Sequence, residues 1–138
     1  MSLSKTKLIL LCYLFLASCM SLNVMPVSEK PNIQMLNRGV EWKIRRTISP
    51  KMLYPKTEFD KGQEGWVLVR GDISKQGIAN NLNVVDFSPS AVFNLAAIRY
   101  LRDSQFEPYK QKGKASILKG YYFLLIFELG EEHPRYKG

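Results

Sequence analysis

The order helix, strand, strand, helix, strand along residues 50–130 predicts an α+β domain, an antiparallel sheet with helices on one face. Three observations carry that reading. Residues alternate with period two from Gly65 to Ser74, an apolar stripe recurs at helical spacing from Val92 to Leu101, and a long apolar run extends from Ile117 to Leu129. With 138 residues, 46% of them hydrophobic, the chain can bury a core without a metal or disulfide framework. Collagenous, coiled-coil and wholly disordered readings are excluded by the same composition.

The first helix is expected over about Lys51 to Lys61, with Pro55 in its opening turn and Gly62 ending it by tolerating positive φ. Glu64-Gly65 then starts a strand that places Val67, Val69 and Ile73 on one face and Trp66, Leu68, Arg70 and Asp72 on the other. Ser74-Lys75-Gln76-Gly77 reads as a turn, and Ile78 to Phe87 returns as the hairpin partner. Ser88 is a candidate helix cap, with Pro89 in the first turn. Val92, Phe93, Ala96, Ala97, Tyr100 and Leu101 form the stripe, which is core in type and not a cofactor box. Pro108 stops the chain after that helix and sends it back toward the sheet. Lysines 110, 112, 114 and 119 lead into the last strand, whose run from Tyr121 to Phe127 is apolar on both faces.

Upstream, residues 19–49 read as a tether punctuated by Pro26, Pro31, Asn37 and Gly39. Within it Val40, Trp42 and Ile44 alternate with Glu41, Lys43 and Arg45, the signal of a short strand that either packs on the domain or stays loose. Residues 131–138 form a polar tail, and its Glu131-Glu132-His133 cluster is expected to be solvated, not a metal site.

Residues 1–18 read as an export segment. Lys5 and Lys7 give a positive start, Leu8 to Leu16 is continuously apolar, and Ala17 and Ser18 are small. The apolar stretch falls short of the roughly 20 residues a membrane span needs. Leu16-Ala17-Ser18-Cys19 resembles the lipobox of bacterial lipoproteins, which implies cleavage before Cys19 and lipidation of its sulfur. Met20 follows, where an Asp in such families tends to retain the protein at the inner membrane, so the periplasmic leaflet of the outer membrane is the favoured location. An inner-membrane anchor or a soluble periplasmic protein is the alternative.

Both cysteines, Cys12 and Cys19, precede the folded part, which therefore has no thiol nucleophile, zinc knuckle or disulfide. The 20 Lys and Arg against 12 Asp and Glu give a formal charge of +8, and loss of Lys5 and Lys7 leaves 18 against 12, or +6. A field of that sign does not choose among anionic partners, and export disfavours nucleic acid. His133 is the only histidine and no serine sits in a nucleophile elbow, so no catalytic residue, metal or cofactor is assigned and the chain is expected not to be an enzyme.

Tyr54-Pro55, Glu64-Gly65-Trp66-Val67-Leu68-Val69, Asp72-Ile73, Gly77, Asn81, Val84-Val85, Pro89, Phe93, Ala97 and Phe106-Glu107-Pro108 follow one family pattern without a gap. In these residues the chain resembles the C-terminal domain of the TonB energy-transducer family. The resemblance covers roughly the last 85 residues and implies three antiparallel strands with two helices, placed in the periplasm. It further implies capture of an extended peptide from an outer-membrane receptor by strand addition to a sheet edge.

Three departures qualify the resemblance. Gly71 stands where the family usually has a bulky apolar residue, so a bulge or a gap filled from elsewhere is expected there. Ser104 stands where the family often has Trp. The membrane helix and Pro-rich spacer of a full transducer are not seen, so the expectation is recognition without a power stroke. The 35 residues from Cys19 to Tyr54 would reach about 30 to 35 Å as a coil and at most roughly 120 Å when straight.

The partner-binding edge is assigned to Tyr121, Tyr122, Phe123, Leu124, Leu125, Ile126 and Phe127, and proline at Phe123 is expected to weaken capture. Packing of the second face on Trp42 and its neighbours, or on a homodimer mate, is the competing explanation of that apolar run. The alternative function is an envelope adaptor lipoprotein that touches peptidoglycan or another envelope protein and has no transport role.

Overall fold

Alternating side chains between Gly65 and Ile73 require a cover on each side of one central strand, and the computed structural model shows what supplies it. It describes residues 24–41 and 44–134. The elements run α1 (Ile33–Leu36), β1 (Arg46–Ile48), α2 (Lys56–Lys61), β2 (Gly65–Ile73), β3 (Ala79–Ser88), α3 (Val92–Asp103), β4 (Gln105–Phe106), β5 (Lys110–Gln111), β6 (Lys114–Ala115) and β7 (Leu118–Phe127). The main sheet is antiparallel in the order β3-β2-β7, with β2 central.

Val67, Val69 and Ile73 are fully buried beneath α3, whose Phe93, Ala97 and Leu101 meet them, and β7 adds Phe123, Leu125 and Phe127 to the same core. Tyr54 ties α2 to this core. Its ring makes edge contacts at 5.8 Å with Phe59, Phe93 and Phe127, and its hydroxyl donates to the Gln63 carbonyl at 2.5 Å. Gly62 ends α2 at φ +69°, as its position after Lys61 predicts. Helix α2 itself is shorter than expected, because Pro55 serves as its N-cap and residues 51–54 lie outside the helix.

The turn at Ser74–Gly77 forms, and its glycine is required twice over. Gly77 has φ +81°, and a Cβ there would lie 1.9 Å from the Phe106 carbonyl oxygen. That proximity is a docking contact, since the Phe106 N–H donates to the Gly77 carbonyl at 2.8 Å. At Gly71 both expected accommodations occur. The register shifts on either side of it, and Leu82 lies where a side chain at 71 would go, 2.6 Å from the Cβ position.

Several expectations are corrected. Ser88 does not cap α3: it is the last residue of β3, and its hydroxyl accepts the Ser28 N–H at 2.8 Å. Ser90 accepts the Val92 N–H instead, and Pro89 lies in the turn ahead of the helix. Helix α3 ends at Ser104, whose hydroxyl turns back to the Tyr100 carbonyl at 2.6 Å, so Pro108 follows the stop without causing it. The upstream strand forms at Arg46–Ile48, beyond Val40, where the backbone pairs with β4. Val40 and Ile44 pack against the core, and Trp42 lies outside the described residues. The lysine-rich lead-in is a hairpin, β5-β6, turning at Lys112 and Gly113. His133 is buried, its ring 4.5 Å from that of Phe59 and its Nε2 2.7 Å from the Phe59 carbonyl, so the tail is fastened to α2 at that point.

Residues 25–37 cross the opposite face of the sheet as a strap. Gln63, itself buried, holds Met25 by accepting its N–H at 2.6 Å and donating to its carbonyl at 3.1 Å. The Trp66 indole donates to the Ser28 carbonyl at 3.0 Å, and Lys30 faces Glu128 at 3.7 Å. With Trp66 2% and Leu68 4% exposed, the polar-looking face of β2 is also covered.

Candidate functional site

A three-stranded sheet has two edges, and the sequence blunts them unequally. On β3 the register shifts twice against β2, Asn81 has positive φ, and Asp86 accepts the Phe87 N–H at 2.8 Å. Bulges and charge of this kind protect an edge from further pairing. Strand β7 pairs with β2 without interruption from Gly65↔Phe127 to Gly71↔Tyr121. Its far end is pinned by Asp72, whose carboxylate accepts the Gly120 N–H at 2.8 Å and the Asn81 amide at 2.9 Å.

These hydrogen bonds, the Asn81 amide first and the Gly120 N–H second, hold the Asp72 carboxyl below its ordinary value of 3.8. A depressed folded-state value contributes stability that is complete above the unfolded value and is lost as pH falls through the folded one. Asp72→Asn is expected to cost about 1 kcal/mol at pH 7, because solvent screens much of the bond's worth. The difference from wild type should shrink as pH falls below the ordinary carboxyl value of 3.8 and toward the lower folded-state one, read by denaturant titration across that range.

Alternation along β7 separates the seven predicted residues into two sets. Tyr121, Phe123, Leu125 and Phe127 face the helices and belong to the core. Tyr121 packs its ring 5.0 Å from Phe123, and burial pushes its phenol up. Tyr122, Leu124 and Ile126 lie on the strap side, with Arg70 5.9 Å over the Tyr122 ring. The backbone separates the same way. The Tyr122 N–H donates to Asn37 Oδ1 and its carbonyl accepts from Asn37 Nδ2, both at 2.9 Å, so its groups point away from β2. Antiparallel pairing repeats every second residue, so Leu124 and Ile126 present theirs in the same direction. No hydrogen-bond partner outside the sheet meets them among the described residues.

Beside this stretch runs a groove of about 700 Å³, walled by Ile33, Ile44, Arg46, Leu101 and Phe106 with β7 as its floor. It offers an apolar surface with arginines at its mouth, next to open backbone groups.

The proline test at Phe123 is therefore misplaced. Phe123 is 6% exposed and turns its backbone toward Val69, so proline there would break the sheet itself. Leu124 is the position that tests the edge. Two of the scaffold residues make close contacts: Gly65 leaves room for the Phe93 ring, 2.6 Å from where a Cβ would sit, and Glu64 accepts the Leu129 N–H at 3.0 Å. Cys19 and the export segment lie outside the described residues. Among those described, no helix is long and apolar enough to cross a membrane. Asn37 was not foreseen, and a single Asn between a Leu and an Arg carries no signal of a partner 85 positions away.

Residues 50–129 match the family model described as Gram-negative bacterial TonB protein C-terminal. No curated protein matches the chain. Among solved structures, the Pseudomonas aeruginosa TonB C-terminal domain aligns with a TM-score of 0.53 at 23% identity, covering 68% of this chain and 91% of that one. The TonB2 protein from Vibrio anguillarum aligns with a TM-score of 0.50 at 24% identity, covering 77% and 98%. Both likenesses bear on fold. With the family model spanning more than half of the sequence, the chain belongs to the TonB C-terminal family, whose domains serve TonB-dependent transport in the cell envelope and bind other envelope proteins.

Proposed function

We propose that this protein is a lipid-anchored periplasmic docking domain that receives an extended segment of an outer-membrane receptor, or of another envelope protein, as an added strand on β7. The observation that carries the reading is the regular, outward-facing backbone of Leu124 and Ile126 beside an apolar groove. Four backbone hydrogen bonds at about 1 kcal/mol each only match the least cost of association, about 4 kcal/mol. Apolar contacts in the groove must supply the rest, which makes the interaction transient and selective for side chains.

Because Met25 is fastened to Gln63, a lipid on Cys19 would hold the domain on about six residues, at most roughly 20 Å of chain. The domain then works close to its membrane and does not reach across the periplasm on a long tether. Two experiments test the reading. A photo-crosslinking residue at Leu124 in living cells should capture an envelope protein, and the same probe at Val85 on β3 should not. Capture at Val85 alone would move the site to the other edge. Labelled palmitate should enter the wild type and not Cys19→Ala, and equal incorporation in both would remove the anchor.

A further inference from the structure

The Asn37 side chain meets Tyr122 as a peptide group would. An amide N–H reaches the strand's carbonyl and an amide oxygen takes its N–H, both at 2.9 Å. We infer that residues 25–37 form a displaceable strap whose Asn37 amide occupies the edge of β7 in place of a partner strand, so that the strap and the docked peptide compete for Tyr122. The inference rests on β7 being the docking edge, and it adds a regulation of that edge.

Two features make the strap removable. None of its residues is buried, and its attachments are a few polar contacts: Gln63 to Met25, Ser88 and Trp66 to Ser28, Lys30 to Glu128 and Asn37 to Tyr122. Its helix, α1, has four residues, far below the length at which a helix is stable alone. Segments with few buried contacts open locally at a small fraction of the global unfolding free energy. The strap also ends at the right place. It crosses from β3 over Trp66, passes Glu128, and seats Ile33 on the wall of the groove before Asn37 reaches Tyr122.

With the strap closed, an incoming peptide pairs only with Leu124 and Ile126. With it displaced, pairing extends through Tyr122. Closed is the resting state, because opening uncovers Trp66, which is buried and donates its indole N–H to the Ser28 carbonyl. A partner, or tension on the segment that leads into the strap, shifts the balance toward the open edge.

The test compares the full chain with Asn37→Ala, using as probe an acetylated and amidated peptide of alternating threonine and valine flanked by glutamates. In Asn37→Ala the Tyr122 amide should exchange with solvent at least about tenfold faster, and the probe should bind roughly thirtyfold tighter, the weight of the two competing hydrogen bonds. Asn37→Asp, which keeps the size and the acceptor but sets an oxygen against the Tyr122 carbonyl, should move both readouts in the same direction. Binding of unchanged or lower affinity in both variants would overturn the competition while leaving the docking edge standing. A probe that binds none of the three proteins, or that protects no β7 amide, would overturn the docking edge and the competition together.

Discussion

Phe93→Ala is expected to lower the stability of the domain by about 4 kcal/mol, a large part of what a single domain possesses. Phe93 is fully buried, its ring lies 4.6 Å from that of Phe127 and 5.8 Å from that of Tyr54, and Gly65 has no side chain so that the ring can approach β2. One truncation therefore empties the point where α3, β2, β7 and the Tyr54 segment converge, and the backbones of two sheet strands cannot close on the space. Thermal unfolding should fall by more than about 10 °C. Gly65→Ala alone should destabilise through collision with that ring, and adding it to Phe93→Ala should cost less than the sum of the single effects, since the new methyl enters the vacated space. Additive losses would mean that the glycine answers to something else, the Ser88 carbonyl being the other atom within 2.6 Å of the Cβ position.

Leu124→Pro is expected to leave the fold in place and weaken binding of an extended peptide by at least about tenfold. The direction of the backbone groups decides this. The Leu124 N–H points out of the sheet, so proline removes a donor that β2 never used, and edge positions of this kind tolerate the substitution. A partner strand loses one hydrogen bond and meets the ring where its carbonyl should sit. Phe123→Pro, one residue away, should instead unfold the domain, because its N–H belongs to the β2–β7 ladder and its side chain to the core. Thermal melts and peptide titrations of the two variants separate the effects, and a Leu124→Pro protein that binds as tightly as wild type would exclude this edge.

How far the sequence was legible follows from what each element depends on. The strand from Gly65 to Ile73 could be read because Val67, Val69 and Ile73 recur at the period of a half-buried strand, and α3 because Phe93, Ala97 and Leu101 recur at that of a helix. Gly62 and Gly77 could be read because the backbone needs positive φ at both. The apolar character of both β7 faces was visible in Tyr121 to Phe127, but its cover was not. The strap has no hydrophobic period to detect and is fixed by Gln63, Ser88 and Asn37, polar side chains whose partners lie 38 to 85 positions away. Ser88 shows the limit most clearly, since a serine before Pro89 is a sound local cap and its hydroxyl was taken by Ser28 instead. The same locality hid His133, whose burial depends on the Phe59 ring and carbonyl.

The candidate site was legible as an edge strand, but not which of its residues face outward. Which of the seven residues face outward depends on the pairing register with β2, and the register is a property of two strands together.

The most direct measurement is residue-resolved hydrogen exchange of the full chain with and without a saturating extended peptide. Slowed exchange is expected at Leu124 and Ile126, the outward amides of β7, with Val85 and Phe87 of β3 unchanged. Slowing confined to β3, or bound peptide with no β7 amide protected, would contradict docking at this edge.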